Sequence, residues 1–307
     1  MTLPRITIIT PCRNQSPFIE RTICSVLDQG YDNLEYFMVD GASTDGTREL
    51  IRHYEGHLAW WSSRPDAGPA DAINRALRHA TGEIVGVLPG DDVYLPEALH
   101  TIAHVMGPAD GPAWVVGQGE RLGEKDEPIG ELNCVAPQSL ASYLRHDSGF
   151  MPACTTFLRR GTLHEYGRFD HALSLCFEYD YHCRLLGGAL RPQEIAASLA
   201  GRREHPNQRS SRHVWRQGME QLEVARRHAL NLPIRERFKV WRNCDERERI
   251  YALAMTESQG RLARRFLWRQ LVRHPWWMAH HAMRHALWRG VEHPAPPAEP
   301  LSVRHAA

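Results

Sequence analysis

Glu83-Ile84-Val85-Gly86-Val87-Leu88-Pro89-Gly90-Asp91-Asp92-Val93-Tyr94 decides the fold. It is a short apolar run that stops at two adjacent carboxylates. Apolar runs of this length, bounded by Gly and Pro, read as strands buried on both faces of a parallel sheet. Asp91 and Asp92 then stand where the strand leaves the sheet at its carboxyl edge, the edge at which open α/β sheets bind ligands. Neighbouring carboxylates repel each other unless a cation or donor groups compensate them. Mg²⁺ takes one or two protein carboxylates together with phosphate oxygens, so one reading is a metal–diphosphate site. The other is a solvated turn that caps the helix starting near Pro96.

On the N-terminal side the pattern alternates. Arg5 to Thr10 reads as a strand, Phe18 to Gln29 as a helix ended by Gly30, and Leu34 to Val39 as a second strand. A helix through Leu50 and Ile51, a short strand from Leu58 to Ser62 and a helix from Ala70 to Ala80 complete the approach to the central strand. Alternation at this spacing predicts βαβ units and an α/β, doubly wound, mostly parallel sheet. Right-handed crossovers place the loops of Asn14, Asp40 and Asp91 on one edge.

Composition narrows the function less than the motifs do. The chain has 307 residues, 42% hydrophobic and 24% charged, with a formal net charge of +1. Bulk charge therefore points to no partner. Seven scattered cysteines without a Cys-x-x-Cys pair indicate neither a zinc site nor a disulfide framework. The N-terminus shows no signal-peptide pattern, and no apolar run approaches the ~20 residues of a membrane-spanning helix. The expected location is the cytoplasm.

Five motifs occur in order: Thr10-Pro11-x-x-Asn14, Val39-Asp40-Gly41-Ala42-Ser43-Thr44-Asp45-Gly46-Thr47, Ala70-Asp71-Ala72-Ile73-Asn74-x-Ala76-Leu77, Ala80-Thr81-Gly82-Glu83 and Gly90-Asp91-Asp92. Together they resemble the nucleotide-sugar half of family 2 glycosyltransferases of the GT-A fold. The resemblance implies a nucleotide-sugar donor whose diphosphate is held by Mn²⁺ or Mg²⁺. It turns Asp91 toward the ribose or sugar, makes Asp92 the principal metal ligand with Asp91 beside it, and sets Thr10, Pro11, Asn14 and Asp40 along the donor. It also implies inversion at the anomeric carbon. The family commonly has a second acid after Asp40 that contacts the base; here that position is Gly41, so the nucleobase is not identified. Asx-turns and capping also account for Asp40 and Asp45. Asp71 and Asn74 lie one turn apart at a helix start, where both could face the donor or serve as caps.

The second half carries the expected acceptor side. Helix Leu99 to Val105, a strand from Trp114 to Gly117, a hairpin around Gly123 to Pro128, a helix from Ser139 to Leu144, and a loop and strand from Gly149 to Arg160 follow in turn. Gly167-Arg168-Phe169-Asp170 resembles a turn of the same family. Inverting transfer needs a carboxylate to take the acceptor proton. In the family that base opens a helix with an Arg six residues later, and counting back from Arg184 lands on Glu178. Asp180 stays as the substitute, because residues two apart do not share a helix face. The alternative is that both are first-turn acids facing the helix dipole. Ala196 to Ala200 reads as an edge strand before Gly201-Arg202-Arg203-Glu204-His205. In related enzymes a loop here covers the diphosphate, so His205 is a candidate metal ligand and Arg202, Arg203 or Arg209 a phosphate partner.

The expected division is a catalytic domain over 1–212 (donor half 1–95, acceptor half 96–212), a helical region over 213–292 and a disordered tail over 293–307. No acidic residue falls between Arg261 and Arg289, where arginines alternate with Phe266, Trp268, Trp276, Trp277 and Trp288. Basic amphipathic helices with boundary Trp bind anionic membrane surfaces, which adds peripheral attachment to the inner face of the plasma membrane. The expected function is sugar transfer to a bacterial glycan or lipid-linked acceptor. Alternatives are a non-catalytic sugar-nucleotide-binding protein and a nucleotidyltransferase, although the first loop lacks the Lys expected of the latter. An RNA-binding role for the Arg/Trp segment sits poorly with the acid pair, and no nucleic acid partner is expected.

Overall fold

Five consecutive buried residues, Ile6 to Thr10, place β1 (Ile6–Cys12) inside the sheet of a computed structural model that describes residues 3–145 and 151–279, with side chains apart from those of Ser210 and 254–267. A strand buried on both faces needs sheet partners at both edges. β2 (Leu34–Asp40) lies parallel on one side, β4 (Ile84–Val87) parallel on the other, and β3 (Trp60–Ser63) extends the sheet beyond β2. The intervening helices are amphipathic. α1 (Ile19–Leu27) buries Ile19, Thr22, Ile23 and Val26, the spacing of a single helix face. α2 (Thr47–His53) buries Thr47 and Ile51, and α3 (Pro69–Ala76) begins with a proline in its first turn.

Beyond β4 the strands mix direction. β5 (Val93–Tyr94), α4 (Ala98–Met106), β6 (Trp114–Leu122), β7 (Pro128–Leu132), α5 (Leu140–Arg145), β8 (Thr156–Arg159), α6 (Arg160–Glu165), α7 (Phe177–Gly187) and β9 (Gln193–Arg203) follow. The nine-stranded sheet has the order β3-β2-β1-β4-β8-β6-β9-β5, with β7 beside β6. The pairings make β1 to β4, β6 and β9 run one way and β5, β7 and β8 the other, so the sheet is mostly parallel, as expected. β9 corrects an expectation. It is not an edge strand: it runs from Gln193 to Arg203 between β6 and β5. The arginines that read as loop are its last two residues, and Arg203 is fully buried because it is ion-paired there.

Two short helices, α8 (Arg209–Arg212) and α9 (Val214–Ala229), lead to the helical stretch α10 (Ile234–Arg273). The chain divides between Val240 and Trp241 into two compact units. α9, which the sequence assigned to the appendage, therefore belongs to the first unit, where it packs on α5 and α7. In the second unit α10 cannot be straight. At 1.5 Å per residue, a straight helix would hold Asp245 and Arg273 roughly 40 Å apart. Instead, His274 Nδ1 lies 2.9 Å from Asp245 Oδ1, and Trp277 Nε1 donates to the same carboxylate at 3.1 Å. The helical stretch folds back on itself, with Trp277 buried and stacked on His274 at the closure. The expected disordered tail, and residues 280–289 of the expected membrane-binding segment, lie outside the described residues.

Candidate active site

The turn after β4 is pinned from three directions. Gly90 N–H donates to Pro11 O at 3.2 Å, while Thr22 of α1 donates its hydroxyl to Gly90 O and Asp92 O at 3.0 and 2.8 Å. A Cβ on Gly90 would stand 2.7 Å from Cys12 Cβ, so glycine lets the turn lie against β1. Asp91 and Asp92 are both buried. Arg203 holds the pair: its backbone N–H donates to Asp92 Oδ1 at 2.9 Å, and its guanidinium donates to Asp91 O. That guanidinium lies over the Phe18 ring and pairs with Asp126 of the β6–β7 turn, which also pairs with Arg21. Arg203 is thus a support for the acids.

Burial, and next the neighbouring Asp91 charge, push Asp92 up to about 8; Arg202 and Arg203 pull the other way. His205 Nε2 lies 3.1 Å from Asp91 Oδ2, while its buried Nδ1 has no hydrogen-bond partner among the described residues. Excess negative charge beside an imidazole nitrogen is a donor set that fits a divalent cation. No group of three or more His, Cys, Asp or Glu gathers for a metal among the described residues. The protein would then supply few ligands and the diphosphate the rest, which is the habit of Mg²⁺.

Other expected donor contacts are occupied elsewhere. Thr10 is buried, its hydroxyl 3.2 Å from the Tyr36 hydroxyl; Pro11 is the part-exposed penultimate residue of β1. Asp40 is buried as well, accepting from Ser43 N–H at 3.1 Å and from the Ser63 hydroxyl at 2.6 Å, the Asx-turn alternative. Asn14 is exposed and ties two loops together, accepting from Thr44 N–H at 2.9 Å. Both ends of the Asn74 amide engage the Phe169 backbone, at 2.8 and 3.0 Å, which anchors the Gly167–Asp170 turn to α3. In these positions Thr10, Asp40 and Asn74 fasten the loops around the site. Asp71 accepts weakly from Ala67 N–H and stays part-exposed.

Glu178 and Asp180 separate clearly. Asp180 is clasped by Arg184 at 3.1 Å, Arg227 at 2.6 Å and His228 at 2.7 Å. Burial pushes its carboxyl up, but these partners outweigh it and hold the group low. Glu178 has no such clasp. It borders an apolar cavity with Phe177, Ala153 and Tyr181, and burial raises it to about 7, against pull from Arg202 and the Ala153 N–H. Arg202 therefore acts on Glu178 and on Asp92 at once. Sequence reading missed Asp126, Thr22 and Phe18 as supports, and Asp66, whose carboxylate lies over Gly41; no spacing signal marks contacts so distant along the chain.

The model of glycosyl transferase family 2 matches residues 7–166, more than half of the chain. The chain belongs to that family. TuaG, a Bacillus subtilis (strain 168) glycosyltransferase named for teichuronic acid biosynthesis, is 38% identical over 101 residues, 31% of this chain and 39% of its own length. The chain spans less than two thirds of each of the first relatives it matches. Among solved structures, S. aureus TarS 1-349 in complex with UDP-GlcNAc superposes with a TM-score of 0.61 at 17% identity, over 80% of this chain and 71% of that one. The mannosyltransferase PcManGT from Pyrobaculum calidifontis, in complex with GDP-Man and Mn²⁺, gives 0.54 at 19% identity over 94% and 84%. These two likenesses show that the chain shares the fold of those structures.

Proposed function

We propose that this family 2 glycosyltransferase transfers a sugar from a nucleotide donor to a glycan or lipid-linked hydroxyl with inversion. The observation that carries the reading is the Ala153–Thr155 segment: its Ala153 N–H donates to Glu178, and it packs on β4 and β9, whose ends carry the acid pair and its Arg203 support. That packing supports one cleft for the proton acceptor and the diphosphate. The acceptor oxygen attacks the anomeric carbon, the bond from that carbon to the diphosphate oxygen breaks, and the hydroxyl proton passes to the Glu178 carboxylate. Asp92, with Asp91 and His205, would hold Mn²⁺ or Mg²⁺, which when bound supplies positive charge to the leaving diphosphate. Arg202 adds a fixed positive charge to the same cleft. A donor complex with Mn²⁺ in one neighbour and a UDP-sugar in another support this reading.

Chelation should abolish transfer and Mn²⁺ or Mg²⁺ restore it. Glu178→Gln should lower transfer by about 10²–10⁴-fold with donor affinity retained, since the base acts on the acceptor. Near-wild-type transfer by Glu178→Gln, with collapse in a folded Asp180→Asn protein, would assign the base to Asp180 instead.

The acceptor is expected at a membrane. In the second unit Trp268, Val272 and Trp276 are 59, 81 and 57% exposed, and Arg269 and Arg273 are exposed beside them. Aromatic and apolar groups flanked by arginines suit an anionic lipid surface. No helix among the described residues is long and apolar enough to cross a membrane.

A further inference from the structure

The side of α7 that carries Asp180 borders an open cavity of about 290 Å³. Every described residue that lines it is ionisable: Arg168, Asp170, Asp180, Arg184, Arg227 and His228. Glu178 borders a different, apolar cavity, in keeping with two residues that do not share a helix face.

The two carboxylates of the charged cavity are already engaged. Asp180 Oδ1 accepts from Arg227 Nη2 and His228 Nε2, and its Oδ2 accepts from Arg184 Nε. Asp170 Oδ1 accepts from Ala172 N–H at 3.0 Å, and Oδ2 lies 3.4 Å from Arg227 Nη1. The donors are not used up. Arg184 Nη2 is buried with no acceptor, and Arg168 makes no hydrogen bond or ion pair among the described residues. Three guanidiniums meet two carboxylates, so positive charge is left over. Unspent cations gathered in a concavity draw an anion.

The groups left over also specify that anion. All are N–H donors, so the partner must be an acceptor. No aromatic or apolar side chain lines the cavity among the described residues, and a base or the apolar face of a sugar has nothing to rest on. Arg168, Arg184 and Arg227 come from three elements, the Gly167–Asp170 turn, α7 and α9. Meeting all three takes oxygens in more than one plane, which a tetrahedral phosphate offers and a planar carboxylate does not. The guanidinium fork matches phosphate oxygens in pairs. The turn that carries Arg168 is held on both sides: Gly167 adopts φ +80°, and the Phe169 backbone is fastened to Asn74.

We propose that this cavity binds a phosphate group, at a site separate from the Asp91 and Asp92 pair. Arg168 supplies the free fork, and Arg184 and Arg227 supply fixed charge beside it.

Titration of the full chain with inorganic phosphate in chelator, followed by ³¹P line broadening, tests this. Without a divalent cation the uncompensated acid pair repels phosphate and does not contribute. Wild type should bind saturably, and Arg168→Gln should weaken binding at least about tenfold, the scale of one hydrogen bond to a charged group. Arg168→Lys keeps the charge and should lose less. Arg48→Gln, at an exposed arginine of α2 outside the cavity, should change nothing. Lack of saturable binding by wild type overturns the site. Equal affinity in Arg168→Gln overturns it too, as does an equal fall in Arg48→Gln, which would reduce the effect to diffuse charge. Vesicles of phosphatidylcholine with phosphatidic acid distinguish the source of the phosphate. Weaker sedimentation of Arg168→Gln than of wild type assigns the site to a lipid headgroup, and equal sedimentation assigns it to a soluble phosphate ester.

Discussion

Two carboxylates two positions apart on α7 carry opposite electrostatics, and that contrast can be measured. Glu178 is raised to about 7 by burial, whereas Asp180 is held low by Arg184, Arg227 and His228. A base that must be ionised gives a transfer rate that climbs with pH through about 7. Stability should move the other way. Because the folded state keeps a proton that the unfolded chain releases, wild-type stability declines as pH rises from the ordinary Glu range to about 7. Gln has no proton to lose, so the melting temperature of Glu178→Gln, relative to wild type, should be higher at pH 8 than at pH 5. A pH-independent difference would refute the perturbed carboxyl. The six-residue spacing to Arg184 singled out Glu178 in the sequence only through the family resemblance. The Asx-turn of Asp40 was one of two readings the sequence left open, and Asn74 was not legible as the fastener of the Phe169 turn, since an amide that fastens a loop has the same letter as one that meets a ligand.

At the scale of elements, the turn between β4 and β5 shows how backbone fit controls the acids. Gly90→Ala would press a methyl into Cys12 Cβ at 2.7 Å and Ile19 Cδ1 at 3.2 Å. Overpacking of this kind costs about 1–3 kcal/mol, and the displaced turn should raise the metal concentration needed for half-maximal activity. Gly161→Ala in α6 meets nothing within 4 Å and should be neutral or stabilising. Matching stability and metal response in the two variants would remove the fit argument. β1, β2 and β4 were readable because strands buried on both faces are continuous apolar runs. The ends of β6 and β9 were not: Gln118 to Arg121 and Arg202-Arg203 are polar, and ladder pairing and the Asp126 ion pair make them strand.

At the scale of the molecule, the alternation of strands and helices made the first unit's fold legible, while the fold-back of α10 had no signature, since Asp245 meets His274 and Trp277 only in three dimensions. The exposed Trp268, Val272 and Arg273 face sets an expectation for the whole chain. It should co-sediment with anionic vesicles and not neutral ones, each Arg contributing about 1 kcal/mol, roughly fivefold in binding. Salt, or Arg269→Gln with Arg273→Gln, should weaken that binding while donor affinity is kept; indifference to lipid charge would leave the face without this role. The placement of β9 has one more consequence, in time. Among the described residues β5 pairs with β9 alone, and the N–H that Asp92 accepts lies 111 residues further along the chain. At about 5–20 residues per second of synthesis, that hydrogen bond waits roughly 5–20 s behind its carboxylate. A ribosome therefore extrudes the acid pair well before the strand that secures it, and a nascent chain halted short of Gln193 carries both aspartates without their Arg203 support.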